Sequence, residues 1–121
     1  MHEMSLMENL LQRGQSFLAP YKVEKVNYLT VRAGVLANIM PDAFAFAFEA
    51  LSADTLFAGA DLIVEKLPIR ARCPACGKIF TSETLPLICP GCDNTSVEIV
   101  DGSEVYLASI DFEEEGESDE D

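Results

Sequence analysis

Four cysteines fall in two matching clusters, Cys73-Pro74-Ala75-Cys76-Gly77 and Cys89-Pro90-Gly91-Cys92, with the twelve residues from Gly77 to Ile88 between the inner pair. A two-residue gap lets both sulfurs of one cluster reach the same ion, and two such clusters supply four thiolates that converge tetrahedrally on one Zn(II) at about 2.3 Å each. Gly77 and Gly91 are expected to relieve backbone crowding and let amide N–H groups point at the sulfurs. Four thiolates close the coordination shell, so the implied role is structural rather than catalytic. The Cys-Pro-x-Cys form serves a rubredoxin-like iron equally well, which keeps an electron carrier among the readings. Redox use as two dithiols is weaker, because one metal explains both pairs.

The second chemistry sits at the start of the chain. His2 is the only histidine, placed where the terminal amine of Met1 can join it. That amine, the His2 amide nitrogen once deprotonated, and the imidazole give three fused donors suited to square-planar nickel or copper. Glu3 offers a fourth, through its amide nitrogen or its carboxylate. A residue as large as His2 at the second position should also prevent removal of Met1. Taken by itself, a histidine at position 2 is more often an idle surface residue.

Several elements must position these groups. Leu6, Met7, Leu10, Leu11, Phe17 and Leu18 fall on one face at helical spacing between Ser5 and Leu18. Ser5 and Glu8 have the form of a capping box, which predicts a helix starting at Ser5 with Met1 to Met4 as a free lead-in. Gly14, on the buried side, implies close approach to a strand. Val23 to Val31 reads as a strand whose apolar phase shifts between Tyr28 and Leu29, a sign of a bulge or of burial on both sides. Pro41 and Asp42 signal a helix start, with Phe44, Phe48 and Leu51 on one face, although Phe44-Ala45-Phe46-Ala47-Phe48 also alternates like a strand. Leu62 to Leu67 and Val105 to Phe112 read as strands flanking the cysteine segment, expected to pair antiparallel with the metal module in place of their turn.

These pieces predict an α+β protein: a small mixed domain with two helices on a three-stranded sheet (residues 1–67 and 102–112), an inserted four-cysteine zinc-binding module (68–101), and a disordered acidic tail (113–121). The chain of 121 residues, 49% hydrophobic and 24% charged, is too short for two ordinary domains. Its formal charge of −13 is uneven. Eight acids lie between Asp111 and Asp121, leaving 13 acidic against 8 basic residues before them. That balance argues against a nucleic-acid partner, which needs cations to displace counterions from phosphate. Lys66, Arg70, Arg72 and Lys78 nevertheless cluster around the module and could dock an acidic partner. Met1 to Ser5 carry no basic signal region, so a cytoplasmic protein is expected. The richest apolar stretch, Ile39 to Leu51, contains Pro41, Asp42 and Glu49 and falls far short of the roughly 20 residues of a membrane span.

The start Met1-His2-Glu3-Met4-Ser5-Leu6, the segment Pro41-Asp42-Ala43-Phe44-Ala45-Phe46-Ala47-Phe48-Glu49, the strand before the cysteines, both cysteine clusters and the closing Val105-Tyr106-Leu107-Ala108-Ser109-Ile110 together resemble the HypA/HybF family of nickel metallochaperones. The resemblance runs from Met1 to about Phe112. It implies transient Ni(II) binding by His2 and delivery to the large subunit of [NiFe]-hydrogenase, together with a HypB-type nickel GTPase. It also implies zinc on Cys73, Cys76, Cys89 and Cys92, in a module inserted in a small α/β domain. Two features depart from the family: Val31-Arg32-Ala33-Gly34 replaces the usual hydrophobe-Gly pairing, and the acidic tail is longer than usual. A zinc-ribbon module binding nucleic acid or protein is the alternative reading. A hydrolase is the weakest, since one histidine and a closed cysteine shell leave no nucleophile and base to pair.

Overall fold

A computed structural model describes residues 2–116, and Met1 and residues 117–121 of the acidic run lie outside the described residues. The described chain forms two α-helices, a short 3-10 turn and six strands. It divides into two compact units, one of residues 2–31, 39–64 and 106–116, the other of residues 32–38 and 65–105.

In the first unit, α1 (His2–Leu18) buries a stripe of Glu3, Met7, Leu10, Leu11, Gly14 and Leu18, the spacing of one helical face. The helix therefore begins a turn earlier than the Ser5 cap predicted. Ser5 and Glu8 are instead exposed positions within it. The physical reason is tertiary, because Glu3 is buried and hydrogen-bonded to a distant backbone amide, which extends the helix toward its N-terminus. Phe17 also leaves the expected stripe. It is 59% exposed and packs on Tyr21 at 6.3 Å between ring centroids, with Tyr21 in turn 5.3 Å from Phe112.

The helix α2 (Pro41–Ser52) starts as Pro41 and Asp42 signal, and it settles the Phe44–Phe48 ambiguity in favour of helix. Phe44, Ala47 and Phe48 are buried, while Phe46, which would share a strand face with Phe44 and Phe48, is 65% exposed. A turn follows in which the Thr55 hydroxyl donates to the Ser52 carbonyl at 2.6 Å and accepts the Phe57 N–H at 3.1 Å. This turn sets the fully buried Phe57. Gly14 makes the close approach read from its position: a Cβ there would stand 2.9 Å from Phe57 Cζ and 3.5 Å from Leu107 and Ile110 of a strand.

One sheet has the order β2-β1-β6, formed by β1 (Val23–Gly34), β2 (Asp61–Leu67) and β6 (Val105–Glu114). The expected pairing of β2 with β6 is therefore not made, since β1 lies between them. The composition of β1 explains its place. Leu29, Thr30 and Val31 are buried consecutively, which is burial on both faces and the mark of a central strand, whereas β2 exposes Ile63 and Val64 and β6 exposes Tyr106. The last strand runs to Glu114, past Phe112, and the Glu115 N–H bonds the Lys22 carbonyl at 2.8 Å.

The second unit carries its own sheet, order β4-β3-β5, from β3 (Ile69–Arg72), β4 (Ile79–Ser82) and β5 (Glu98–Asp101). Pro68 separates β3 from β2, because a residue without an N–H cannot continue a ladder. Both pairings are antiparallel, and a register shift between Arg70 and Ala71 bends the β3–β5 pair. Ile69, Ala71 and Leu87 form a small core, with Val35, Leu36, Phe80 and Val97 packed around it. The chain closes back tightly here: the Gly34 N–H bonds the Glu104 carbonyl at 2.7 Å and the Leu36 N–H bonds the Gly102 carbonyl at 2.8 Å.

Candidate metal-binding sites

The four cysteines come together at one end of the small sheet, with all four sulfurs within 4.8 Å of one another. Cys73 follows directly on β3, and the chain returns through β4 and a loop to Cys89. The two clusters are built alike. Cys73 N–H bonds the Lys78 carbonyl at 2.9 Å and Cys89 N–H bonds the Asn94 carbonyl at 3.0 Å. Gly77 N–H bonds the Cys73 carbonyl at 2.7 Å and Asp93 N–H bonds the Cys89 carbonyl at 2.8 Å. Each turn needs one left-handed residue, supplied by Gly77 at φ 76° and by Asp93 at φ 61°. Gly91 has the part expected of it, an amide aimed at a sulfur where a side chain would crowd. It offers its N–H to Cys89 Sγ at 3.3 Å, and a Cβ there would lie 3.2 Å from Lys78 Cδ and under 4 Å from two sulfurs.

Sulfur separations show what the site can hold. Cys73 and Cys92 are 3.7 Å apart and Cys76 and Cys89 3.6 Å. Four thiolates about 2.3 Å from a central ion define a tetrahedron whose edge is about 3.8 Å. The donor set therefore fits a tetrahedral thiolate-loving metal, zinc and iron alike. Cys73 and Cys89 are fully buried, while Cys76 and Cys92 face solvent.

The local electrostatics are those of crowded thiols. Backbone N–H from Cys76, with the Asn94 side chain and Ala75 N–H, holds the Cys73 thiol down at about 6 against burial. At Cys92 the Asn94 backbone N–H pulls downward, but the Cys73 sulfur, burial, and the sulfurs of Cys89 and Cys76 prevail and push the thiol up to about 12. Cys76 is likewise raised, its Lys78 N–H outweighed by the Cys89 and Cys73 sulfurs and burial. The Cys73 thiolate is favoured while Cys76 and Cys92 resist ionising beside it, the situation that a bound divalent cation reverses by deprotonating its ligands outright.

Asn94 was not singled out by the sequence reading. Its amide reaches Cys73 Sγ at 3.6 Å and the Ser96 carbonyl at 3.3 Å. Superposing the clusters at their sixteen-residue offset would have set Asn94 beside Lys78 and Asp93 beside Gly77. The basic cluster also changes meaning. Arg72 pairs with Glu98 at 2.6 Å and Arg70 with Asp101 at 3.3 Å across β3 and β5, so half of it is neutralised within its own sheet.

The N-terminal candidates lie in the first turn of α1, away in sequence from the cysteines. His2 is exposed. Glu3, 8% exposed, turns its carboxylate to accept the Met40 N–H at 3.1 Å. That bond holds the Glu3 carboxyl below the usual carboxylate range. The Met1 amine lies outside the described residues. Among the described residues, no helix is long and apolar enough to cross a membrane.

Comparison with known proteins agrees with this architecture. A family model described as hydrogenase/urease nickel incorporation, metallochaperone, hypA matches residues 1–112. The hydrogenase maturation factor HypA of Desulfitobacterium hafniense is 38% identical over 114 residues, covering 94% of this chain and all of that protein. That of Aquifex aeolicus is 30% identical over 113 residues, covering 93% and 98%. The solution structure of the Ni metallochaperone HypA from Helicobacter pylori shares the fold, with a TM-score of 0.66 at 22% identity over 93% of this chain and 98% of that one. With the family model spanning nearly the whole chain and relatives matched over nearly all their length, the chain belongs to the HypA family of metallochaperones for hydrogenase and urease nickel incorporation.

Proposed function

We propose that this chain binds Ni(II) at its N-terminus, through the Met1 amine and the His2 amide and imidazole with Glu3 beside them, and delivers it during maturation of [NiFe]-hydrogenase. The observation that carries the reading is that α1 opens at His2 with the imidazole exposed. The first four N–H groups of a helix have no intrahelical partner, so a metal that displaces the His2 amide proton breaks no helical hydrogen bond. Helical φ, about −63°, also sets Cβ anti to the preceding carbonyl carbon, the arrangement that lets Nδ1 close a chelate ring with the residue's own amide nitrogen.

In this reading the second unit is a zinc-stabilised scaffold, with Cys73, Cys76, Cys89 and Cys92 on one structural Zn(II), and the part before Pro68 together with residues 102–112 handles nickel. The recipient is the hydrogenase large subunit, the cooperating partner a HypB-type GTPase, and the compartment the cytoplasm. The paired charges on the outer face of the small sheet weigh against the nucleic-acid alternative, which would use those arginines on phosphate.

Calorimetric nickel titration of the zinc-loaded chain tests the proposal. The untagged chain should bind one Ni(II), His2→Ala should lose tight binding with zinc content unchanged, and an extension before Met1 should weaken binding strongly with His2 intact. A chain that binds nickel equally well with and without the extension would remove the amine from the site.

A further inference from the structure

The helix α2 lacks both halves of the usual N-terminal hydrogen-bond exchange. Its N-cap is Met40, which makes no side-chain cap bond, and the third helical residue, where a glutamate would reach back to the N-cap amide, is Ala43. That amide is bonded all the same. Met40 N–H donates to Glu3 Oε2 at 3.1 Å, thirty-seven residues away in the chain, while the Met40 carbonyl accepts the first helical bond from Phe44 N–H at 2.9 Å. Glu3 thus performs for α2, from another helix, what a capping-box glutamate performs within one.

The consequence falls on the neighbouring residue. His2 is one residue from a buried, hydrogen-bonded carboxylate, so the start of α1 is tied to the start of α2. The geometry points to Glu3 as a positioning residue for nickel: its carboxylate stays on the Met40 amide and braces the metal-binding end of α1, and it is not itself a nickel donor. This rests on the N-terminal nickel reading for its function and on the hydrogen bond alone for its geometry.

The two roles available to the carboxylate separate cleanly in substitution. Gln at position 3 keeps an oxygen that accepts the Met40 N–H but cannot act as an anionic donor, whereas Ala loses both. Outer groups that orient metal ligands typically contribute about 10–100-fold in metal affinity. In the full-length, zinc-loaded, untagged chain, Glu3→Ala should therefore bind one Ni(II) about 10-fold more weakly with its visible absorption band unmoved. Glu3→Gln should restore affinity to within about 3-fold.

Amide exchange at Met40, followed by NMR in the metal-free chain, should quicken about 3–30-fold in Glu3→Ala, the range expected for loss of a cap, and stay slow in Glu3→Gln. Protection of that amide should persist in the native chain when nickel is added. Glu3→Gln as weak as Glu3→Ala with a shifted absorption band, or loss of Met40 protection on adding nickel, would make the carboxylate a donor and overturn the proposal. If the native chain takes up no nickel, or His2→Ala takes it up equally, the nickel reading fails and the positioning role with it. That outcome is told apart from failure of the brace by Met40 exchange in the metal-free chain, which needs no nickel. Should Glu3→Ala not fold, Glu3→Gln and the native chain carry both arms of the test.

Discussion

Replacing Gly34 by alanine should be among the most damaging changes of one methyl group in this chain. The backbone at Gly34, φ −67° and ψ 147°, suits any residue, so no conformational strain is involved, and alanine would by itself stabilise by about 0.4–1 kcal/mol through the unfolded chain. The obstacle is where the methyl group goes. A Cβ would stand 2.0 Å from the Gly102 carbonyl oxygen, 2.3 Å from its carbon and 2.8 Å from Ser103 N. These are backbone atoms, and they are held in place by the Gly34 N–H bond to Glu104 and the Leu36 N–H bond to Gly102. Opening the contact by more than an ångström breaks both, at about 1–3 kcal/mol each. The net loss should be about 2–5 kcal/mol, read as a fall of about 1 M or more in the urea midpoint. Gly59→Ala is the control. Gly59 has φ 82° with nothing near its missing Cβ, so only the left-handed penalty of about 1–2 kcal/mol applies. Gly34→Ala no more harmful than Gly59→Ala would refute the steric reasoning.

The cysteine site should hold one zinc per chain, with apparent binding of about 10–16 kcal/mol at neutral pH. Elemental analysis of Cys89→Ser should find that metal lost, and iron in the native chain would overturn the zinc assignment. The site should also loosen in acid, as protons compete for the thiolates. Because the Met40 N–H lowers the Glu3 carboxyl in the fold, its stabilising contribution is complete above the ordinary value of 4.5 and fades as the pH falls below it. Met40 amide exchange should therefore quicken on acidification below that value, and an exchange rate that follows only the ordinary pH dependence of amides would count against the contact.

What could be read from the chain alone was what depends on local spacing. The paired cysteines announced their convergence because a two-residue gap is a geometric statement, and Pro41-Asp42 announced α2 because both residues act within the first turn. The start of α1 was misread for the opposite reason. Ser5 and Glu8 make a sound local cap, but Glu3 is satisfied by an amide thirty-seven residues away, and nothing near it reveals that partner. The order of the larger sheet was hidden in the same way, since the centrality of β1 follows from burial of Leu29 to Val31 on both faces and not from its connections. The four-residue strands of the small sheet are too short for any period to show. Asp93 carried no local signal of its turn, since aspartate tolerates the left-handed region without requiring it.

The ion pairs across β3 and β5 bear on how this protein meets its visitors. With Arg70 and Arg72 each matched to a carboxylate, half of the basic cluster around the module is cancelled, and the far field is set by an excess of thirteen negative charges. Diffusing cations are steered inward and concentrated at the surface, while acidic macromolecules are slowed in approach, both effects fading as salt shortens the screening length. Encounter with a metal ion is thus fastest in dilute electrolyte, and any acidic partner must be captured by contacts made at short range.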